Sequence, residues 1–412
     1  MKRRVVVTGM GLVSPVGHTV KESFNHLVAG KNGIDFITLF DASNDKVKIA
    51  GEVKNLNFED FIDRKEIRRA DRVTNLAMVA AHEAVTQANF LNHTYNPFRV
   101  GTFVGSGIGG LNTIYEETKT AVERGQDRIS PFFIPNSIIN LIGAKIGIKY
   151  QAKGPNLPQV SACSAATNSI GEAFKNIRDG YLDAAITGGA ESPINVIGVG
   201  GFSSLKALNF SNDPEIASVP FDKRRSGFVM AEGAGIIILE EYEHAMKRGA
   251  PILAEMVGYG TTSDAFHMTA PDDEALGITE CLKLALQDAQ IDPSKIGYIN
   301  AHGTSTVLND KLETLGIKKA FGKDAYHVNI SSTKSMTGHA LGAAGAIETI
   351  ATIMALITGD IPPTIHYQEP DPDCDLNYTP NISVHRDMDY AMNINIGFGG
   401  QNAAIIFKKV KS

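Results

Sequence analysis

Short apolar runs alternate along the chain with longer stretches in which apolar positions recur every three or four residues. That alternation predicts strands covered by helices, an α/β layering. Strands are predicted at Arg4–Thr8, Val100–Val104, Gln159–Ala162, Ala184–Thr187, Gly235–Leu239, Ile296–Ala301, His327–Ser331 and Met392–Ile396. Amphipathic helices are predicted at Leu76–Gln87, Ser169–Arg178 and Ala343–Ile357. In the second of these Ile170, Ala173, Phe174 and Ile177 share one face. Residues 201–225 have little periodicity and are expected to form a long surface excursion.

The order of elements repeats. Residues 76–110 run helix, polar linker, then a strand ending in Gly, and residues 279–306 follow the same order. Next comes strand, turn, helix and Gly180 in the first half, and strand, turn, helix and Gly359 in the second. Two related halves follow, joined near Arg248–Pro251: residues 1–250 and 251–412. A pseudo-two-fold would bring equivalent strand ends to one place.

Composition removes several classes of function. At 43% hydrophobic and 20% charged, the 412 residues are globular in composition. A net charge of -6 disfavours a general nucleic-acid binder. Three cysteines without a CxxC pair give neither a disulfide framework nor a zinc knuckle, and suggest a reducing compartment. No apolar run approaches the roughly 18 residues of a membrane span. The basic start Met1–Arg4 precedes a run broken by Thr8, Gly9, Gly11 and Pro15, so a first strand in a cytoplasmic protein is expected rather than a signal peptide.

Cys163 stands between a predicted strand and a predicted helix. Unpaired N–H groups at a helix start favour a thiolate there, which would make it a nucleophile; the alternative is a small buried hydrophobe. Cys281 and Cys374 carry no such context. His302 opens "HGTST" after a strand and His339 closes "STKSMTGH", both where strands of the second half end. Neutral imidazoles there can move protons or stabilise an oxyanion, or be satisfied core residues; a third metal ligand at recognisable spacing is missing, so no metal is expected. Lys334 lies five residues before His339, with Asp310, Glu313 and Glu348 as possible partners. The turn Gly397-Phe398-Gly399-Gly400 joins two strand patterns and could supply half an oxyanion hole, or be a hairpin turn.

Two glycine patterns, Thr8–Val13 and Gly105–Gly110, lack the spacing and βαβ context of a dinucleotide site. In Asp63–Arg72, Arg64, Arg68 and Arg72 fall at helical spacing with Lys65 and Arg69 beside them. On an acidic protein such a basic face is either solvated or meets an acidic macromolecule.

Taken in order, "RRVVVTGMGLVSPVG", "GSGIGG", the Cys163 turn, "TGGAE", "PFDKRRSGFVMAEGAG", "AHGTST", "KSMTGH" and "GFGGQN" resemble the β-ketoacyl-acyl carrier protein synthases, most closely the type II condensing enzymes of fatty-acid synthesis, over essentially the whole chain. The resemblance implies a thiolase-like fold: two pseudo-duplicated halves in a five-layer αβαβα sandwich, usually a homodimer. It implies a ping-pong acyltransferase with no bound cofactor, whose substrates ride on the phosphopantetheine of acyl carrier protein. Cys163 would take the acyl chain, and His302 and His339 would stabilise the enolate of the malonyl unit. Backbone N–H groups of Cys163 and Phe398 would form the oxyanion hole, with Phe398 as gate and Gly399 beside it. Lys334 would stand behind the histidines with Asp310, Glu313 and Glu348. Thr304 and Thr306 would contact the pantetheine arm, and Ile108 and Phe202 the acyl chain. Lys65, Arg68, Arg69 and Lys206 would dock the carrier.

Ile108 favours type II over type I, and Cys-His-His separates the chain from the Cys-His-Asn initiating synthases. The chain departs from the family pattern at Ser164-Ala165-Ala166, at Ile394, Asn395 and Ile396, at Gln401 and at Val307. These bear on chain length and gate motion. The competing readings are a thiolase, which would need a second catalytic Cys near the C-terminus, a non-catalytic chain-length factor, and a polyketide ketosynthase.

Overall fold

The computed structural model describes residues 2–92 and 95–410. Its frame is a nine-stranded mixed sheet: β1 (Val5–Val13), β2 (Val100–Gly105), β3 (Ala184–Glu191), β4 (Gly233–Glu241), β5 (Ala254–Ser263), β6 (Ile296–Asn300), β7 (Asn329–Ser331), β8 (Tyr390–Gly397) and β9 (Gln401–Lys408). The spatial order is β2-β3-β4-β1-β5-β9-β8-β6-β7. From the β1/β5 junction outward the two sides match. Each runs antiparallel first and ends in parallel pairs, β2 with β3 on one side, β8 with β6 and β6 with β7 on the other.

Five helices complete the layers: α1 (Arg72–Gln87), α2 (Ala165–Arg178), α3 (Leu276–Ala289), α4 (Val307–Phe321) and α5 (Ala344–Thr358). α2 and α5 pack on each other, and each touches strands from both sides of the junction, so they form the middle layer. α1 covers β1, β3 and β4 from outside, and α3, backed by α4, covers β5 and β9. The five-layer duplicated α/β sandwich is therefore observed. By length and composition Leu341–Thr358 could cross a membrane, contrary to the sequence expectation, but 83% of it is buried inside the protein. An apolar helix enclosed by two sheet halves needs no polar face.

The duplication reaches single residues. On β1 a Cβ at Gly9 would lie 2.2 Å from the Ala84 carbonyl oxygen and one at Gly11 1.9 Å from that of Ala80, both on α1. On β5 a Cβ at Gly258 would lie 2.5 Å from the Ala285 oxygen and one at Gly260 2.1 Å from that of Cys281, both on α3. The glycine pairs let each outer helix lie flat on its strand. The pattern Thr8–Val13 is thus a packing device.

Four expectations need correction. The strand at Gln159–Ala162 is absent. The backbone beside β2 is instead residues 154–157, with Gly154 N to Val100 O at 2.8 Å, Thr102 N to Pro155 O at 2.9 Å and Leu157 N to Thr102 O at 3.0 Å. Residues 159–162 lie past that edge, where a single chain offers no strand to pair with. α2 begins at Ala165, four residues before the expected start. Residues 201–225 are a surface excursion only in part: most of 201–216 is exposed or half-buried, whereas Leu208, Ala217, Val219, Phe221, Asp222 and Arg225 are buried. Finally, Arg64, Arg68 and Arg72 share no helical face. The helix Arg64–Ile67 stops after one turn, Asp71 caps α1, and Arg72 turns inward to the buried Glu232 at 2.6 Å. Lys65, Arg68 and Arg69 remain exposed.

Gly11→Ala should cost about 3 kcal/mol, because its methyl meets backbone rather than a movable side chain. Urea unfolding measures this, and Gly201→Ala, on an exposed helix where the Cβ would meet nothing within 4 Å, is the control.

Candidate active site

Cys163 sits in the tight turn Ala162–Ser164 that feeds α2. Ala162 is held at φ 50°, a conformation that costs a non-glycine residue of order 1 kcal/mol. The turn before α5 repeats the feature with Leu341 at φ 44°. His302 follows β6 directly, and His339 follows the one-turn helix Lys334–Thr337. The Cys163 sulfur and one nitrogen of each imidazole all lie within 4.8 Å of one another. The two rings meet edge to face, 5.2 Å apart, and Phe228 makes a second edge contact with His339 at 5.1 Å.

These residues form the floor of a cavity of about 410 Å³, also lined by Phe202, Lys206, Thr304, Thr306 and Phe398. Thr304 and Thr306 hydroxyls are 3.0 Å apart. The ring of Phe398 lies 6.3 Å from that of Phe202. Two expected lining residues lie elsewhere. Ile108 packs behind the cavity in the apolar cluster that holds Cys163, Phe228 and Leu341. Gly399 is exposed, at φ 82°, and donates its N–H to the Met268 carbonyl at 2.7 Å.

Beneath the histidines Lys334 is 1% exposed. Its ammonium donates to the His302 carbonyl at 2.5 Å and pairs with Glu348 at 2.5 Å. Of its three expected partners only Glu348 is bonded to it. Glu313 accepts from the His302 and Gly303 N–H groups at 2.6 and 2.7 Å, which fixes the loop after β6. Asp310 accepts from Phe221 N at 2.8 Å and faces Arg225 at 3.9 Å. Both acids shape the backbone; neither reaches the ammonium.

Sequence reasoning missed Glu191. Its buried carboxylate accepts from Ser106 Oγ (2.8 Å), Gly107 N (2.6 Å), Ile108 N (3.2 Å) and Gly342 N (2.9 Å). It thereby ties the Gly105–Gly110 loop to the turn after His339. An acidic residue closing the apolar strand "AAITGGAE" was the available signal.

Burial pushes the Cys163 thiol from 9.0 up to about 12; the Lys334 ammonium and the Phe398 N–H, aimed at the sulfur, oppose this. The end of a helix contributes at most ~2 kcal/mol, about half of what would restore the ordinary value. The expected gain in thiolate is therefore outweighed by desolvation, and the free site holds a thiol. Burial pushes His302 and His339 well below 6.5, aided by Lys334. Both imidazoles are neutral at pH 7. Among the described residues this is the one Cys/His/carboxylate group close enough to hold a metal ion. A metal would need the thiolate, which burial opposes.

A nucleophile from one half, facing two neutral imidazoles from the other in one cavity, defines a thiolase-like condensing enzyme. The chain belongs to the β-ketoacyl synthase family: the family description "Beta-ketoacyl synthase, N-terminal domain" matches residues 2–245 and "Beta-ketoacyl synthase, C-terminal domain" residues 253–368. It is 48% identical to a 3-oxoacyl-[acyl-carrier-protein] synthase 2 of Staphylococcus aureus, covering 100% of this chain and 99% of that one. It is 46% identical to the protein of the same name from a Synechocystis species, covering 99% and 98%. Among solved structures it superposes on a β-ketoacyl synthase of Burkholderia phymatum with TM-score 0.92 at 35% identity, over the full length of both. It also superposes on a type II polyketide acyl carrier protein–ketosynthase complex holding a hexaketide, with TM-score 0.90 at 35% identity, again over both full lengths.

Alkylation of Cys163 by iodoacetamide should rise about tenfold per pH unit between pH 6 and 9, because the thiol is still almost wholly protonated there. Intact mass against time gives the rates. A plateau below pH 8 would show that the helix start, not burial, sets this thiol.

Proposed function

We propose that the chain is an elongating 3-oxoacyl-[acyl-carrier-protein] synthase of fatty-acid synthesis. The observation that carries this is the gathering of Cys163, His302 and His339 within 4.8 Å at the cavity floor. The first half, residues 1–250, supplies the nucleophile, and the second, 251–412, the two histidines.

The thiol of Cys163 attacks the thioester carbonyl of an acyl-carrier. An S–C bond forms, and the carrier's pantetheine thiol leaves with the proton. N–H groups of Cys163 and Phe398 hold the oxyanion of the tetrahedral intermediate, the contribution that costs 10²–10³-fold when one donor is lost. Malonyl-carrier then enters beside Thr304 and Thr306. Its C–C bond to the carboxylate breaks, carbon dioxide leaves, and the electron pair moves onto the thioester oxygen as an enolate. His302 and His339, neutral and donating, stabilise that oxygen. The enolate carbon attacks the acyl thioester, the C–S bond breaks, and the sulfur is reprotonated. The product is a 3-oxoacyl-carrier two carbons longer. Glu313 and Asp310 hold the loops, Lys334 and Glu348 brace the His302 backbone, and Phe202 bounds the acyl chain, with Ile108 in the cluster that Phe202 packs against.

Incubation with a saturated acyl-carrier should add an acyl mass to the protein but not to Cys163→Ala, and malonyl-carrier should then release a 3-oxoacyl-carrier. No acylation across several chain lengths would move weight to a chain-length-factor role. A thiolase reading lacks its second cysteine, since Cys281 and Cys374 lie buried in the second half's apolar core.

The carrier is the partner, and the exposed Lys65, Arg68, Arg69 and Lys206 offer an acidic protein a basic landing. A second copy of the chain covers the open edge beside residues 154–157, where Ile134, Leu157 and Val160 stand 51–59% exposed. The buried free thiols fit a cytoplasmic setting. Val160→Glu should convert dimer to monomer in sedimentation; an unchanged dimer would move the interface elsewhere.

A further inference from the structure

Asn395 lies on β8, fully buried, where the two halves of the site meet. Its amide has one accepting and one donating end, and its neighbours decide which faces which. At the oxygen stand the Thr167 hydroxyl from α2 and the Asn393 Nδ2 at 3.0 Å. Asn393 Nδ2 is itself aimed at the Gly345 carbonyl, 3.3 Å away, so it is a donor. At the Asn395 nitrogen stand Glu348 Oε2 at 2.7 Å and His302 Nδ1 at 3.4 Å. Turning the amide over would set its oxygen against a carboxylate and its N–H₂ against another N–H₂. The orientation is fixed, and one N–H of Asn395 faces His302 Nδ1.

An N–H can approach a ring nitrogen only where that nitrogen carries a lone pair. We propose that Asn395 is a positioning residue that fixes His302 as the Nε2–H tautomer, so that the ring's one proton stands on the nitrogen left free to face the cavity. Because the ring is neutral, its tautomer decides whether it donates or accepts there. A donor serves an enolate oxygen; a lone pair would repel it. The opposite tautomer would also press Nδ1–H against the Asn395 N–H. His339 differs, since among the described residues its buried Nδ1 has no hydrogen-bond partner. The catalytic consequence rests on the condensing function proposed above; the tautomer assignment does not.

The test is a long-range ¹H–¹⁵N correlation spectrum of the full-length protein labelled with ¹⁵N-histidine, with the His302 signals assigned by their loss in His302→Gln. His302 should show a protonated Nε2 and a bare Nδ1 from pH 6 to 8. A protonated Nδ1 in the wild-type protein overturns the proposal without any variant or substrate. Asn395→Leu removes the donor without adding a charge beside Glu348 and should let the proton populate Nδ1. It should lower malonyl-carrier decarboxylation at least tenfold more than Cys163 acylation. Asn395→Ser, which keeps a donor, should restore both the Nε2–H pattern and most of the decarboxylation. Equal loss of both half-reactions in all variants would mark a structural role and sink the proposal. If the wild-type protein shows the Nε2–H ring but never decarboxylates malonyl-carrier, the condensing function fails and the tautomer assignment stands.

Discussion

The ammonium of Lys334 is the group on which the site depends. It is enclosed, bonded to the Glu348 carboxylate of the middle-layer helix α5 and to the carbonyl of His302 itself. Burying such a pair costs several kcal/mol per ion before their attraction is counted, and removing one partner costs about 3–5 kcal/mol. The pair therefore holds only while the surrounding structure is complete. Its position also sets the protonation of everything above it. The positive charge pushes both imidazoles further below 6.5 and draws the Cys163 thiol down against burial. Burial keeps the two bases neutral, the one charge adds to it, and the same charge opposes the burial that holds the sulfur protonated.

The duplicated frame explains how one chain brings unlike groups together. α2 and α5 both start from a turn whose entry residue is left-handed, Ala162 at 50° and Leu341 at 44°. In the first turn the next residue is Cys163. In the second it is Gly342, where a Cβ would come 2.3 Å from the Gly107 nitrogen. Equivalent places have taken unequal tasks: one presents the nucleophile, and the other gives up its side chain so that the Gly105–Gly110 loop and the turn after His339 can share the Glu191 carboxylate.

Much of this was legible in the sequence, for physical reasons. Period-2 and period-3.6 patterns located the central strands and α1, α2 and α5, because burial on one face leaves that pattern. The order of elements exposed the duplication, and Cys163, His302 and His339 stood out as reactive side chains at breaks between periodic segments, although only His302 closely follows a strand. What failed depends on partners far along the chain. No strand forms at 159–162, because the place beside β2 is taken by residues 154–157. Arg72 reads as part of a basic stripe until Glu232, 160 residues away, claims it. The irregular segment 201–225 shows no period because its buried residues enter separate clusters, Leu208 beside Cys163 and Phe228, and Phe221 in the core of the second half. Lys334 had three acids in prospect, and only the fold shows that Glu313 and Asp310 spend their oxygens on backbone N–H groups. Asn395 was visible only as a departure from the family pattern; its meaning lies in four neighbours from four segments.

Phe398 joins the two ends of the chemistry. Its N–H is aimed at the Cys163 sulfur, while its ring lies beside Phe202 in the wall of the cavity. Peptide plane and ring belong to one residue, so neither can be placed without the other. The next two residues, Gly399 at φ 82° and Gly400 at φ 69°, hold conformations that side chains disfavour. A Cβ at Gly400 would meet Asp264 at 2.6 Å. The turn therefore depends on glycine at both positions, and ring and peptide plane move together through it. On the function proposed above, a chain that fills the pocket against Phe202 presses on the element that carries the oxyanion donor. On that proposal, acyl-chain fit and the stabilisation of the first tetrahedral intermediate are coupled through a single residue, with no longer pathway required.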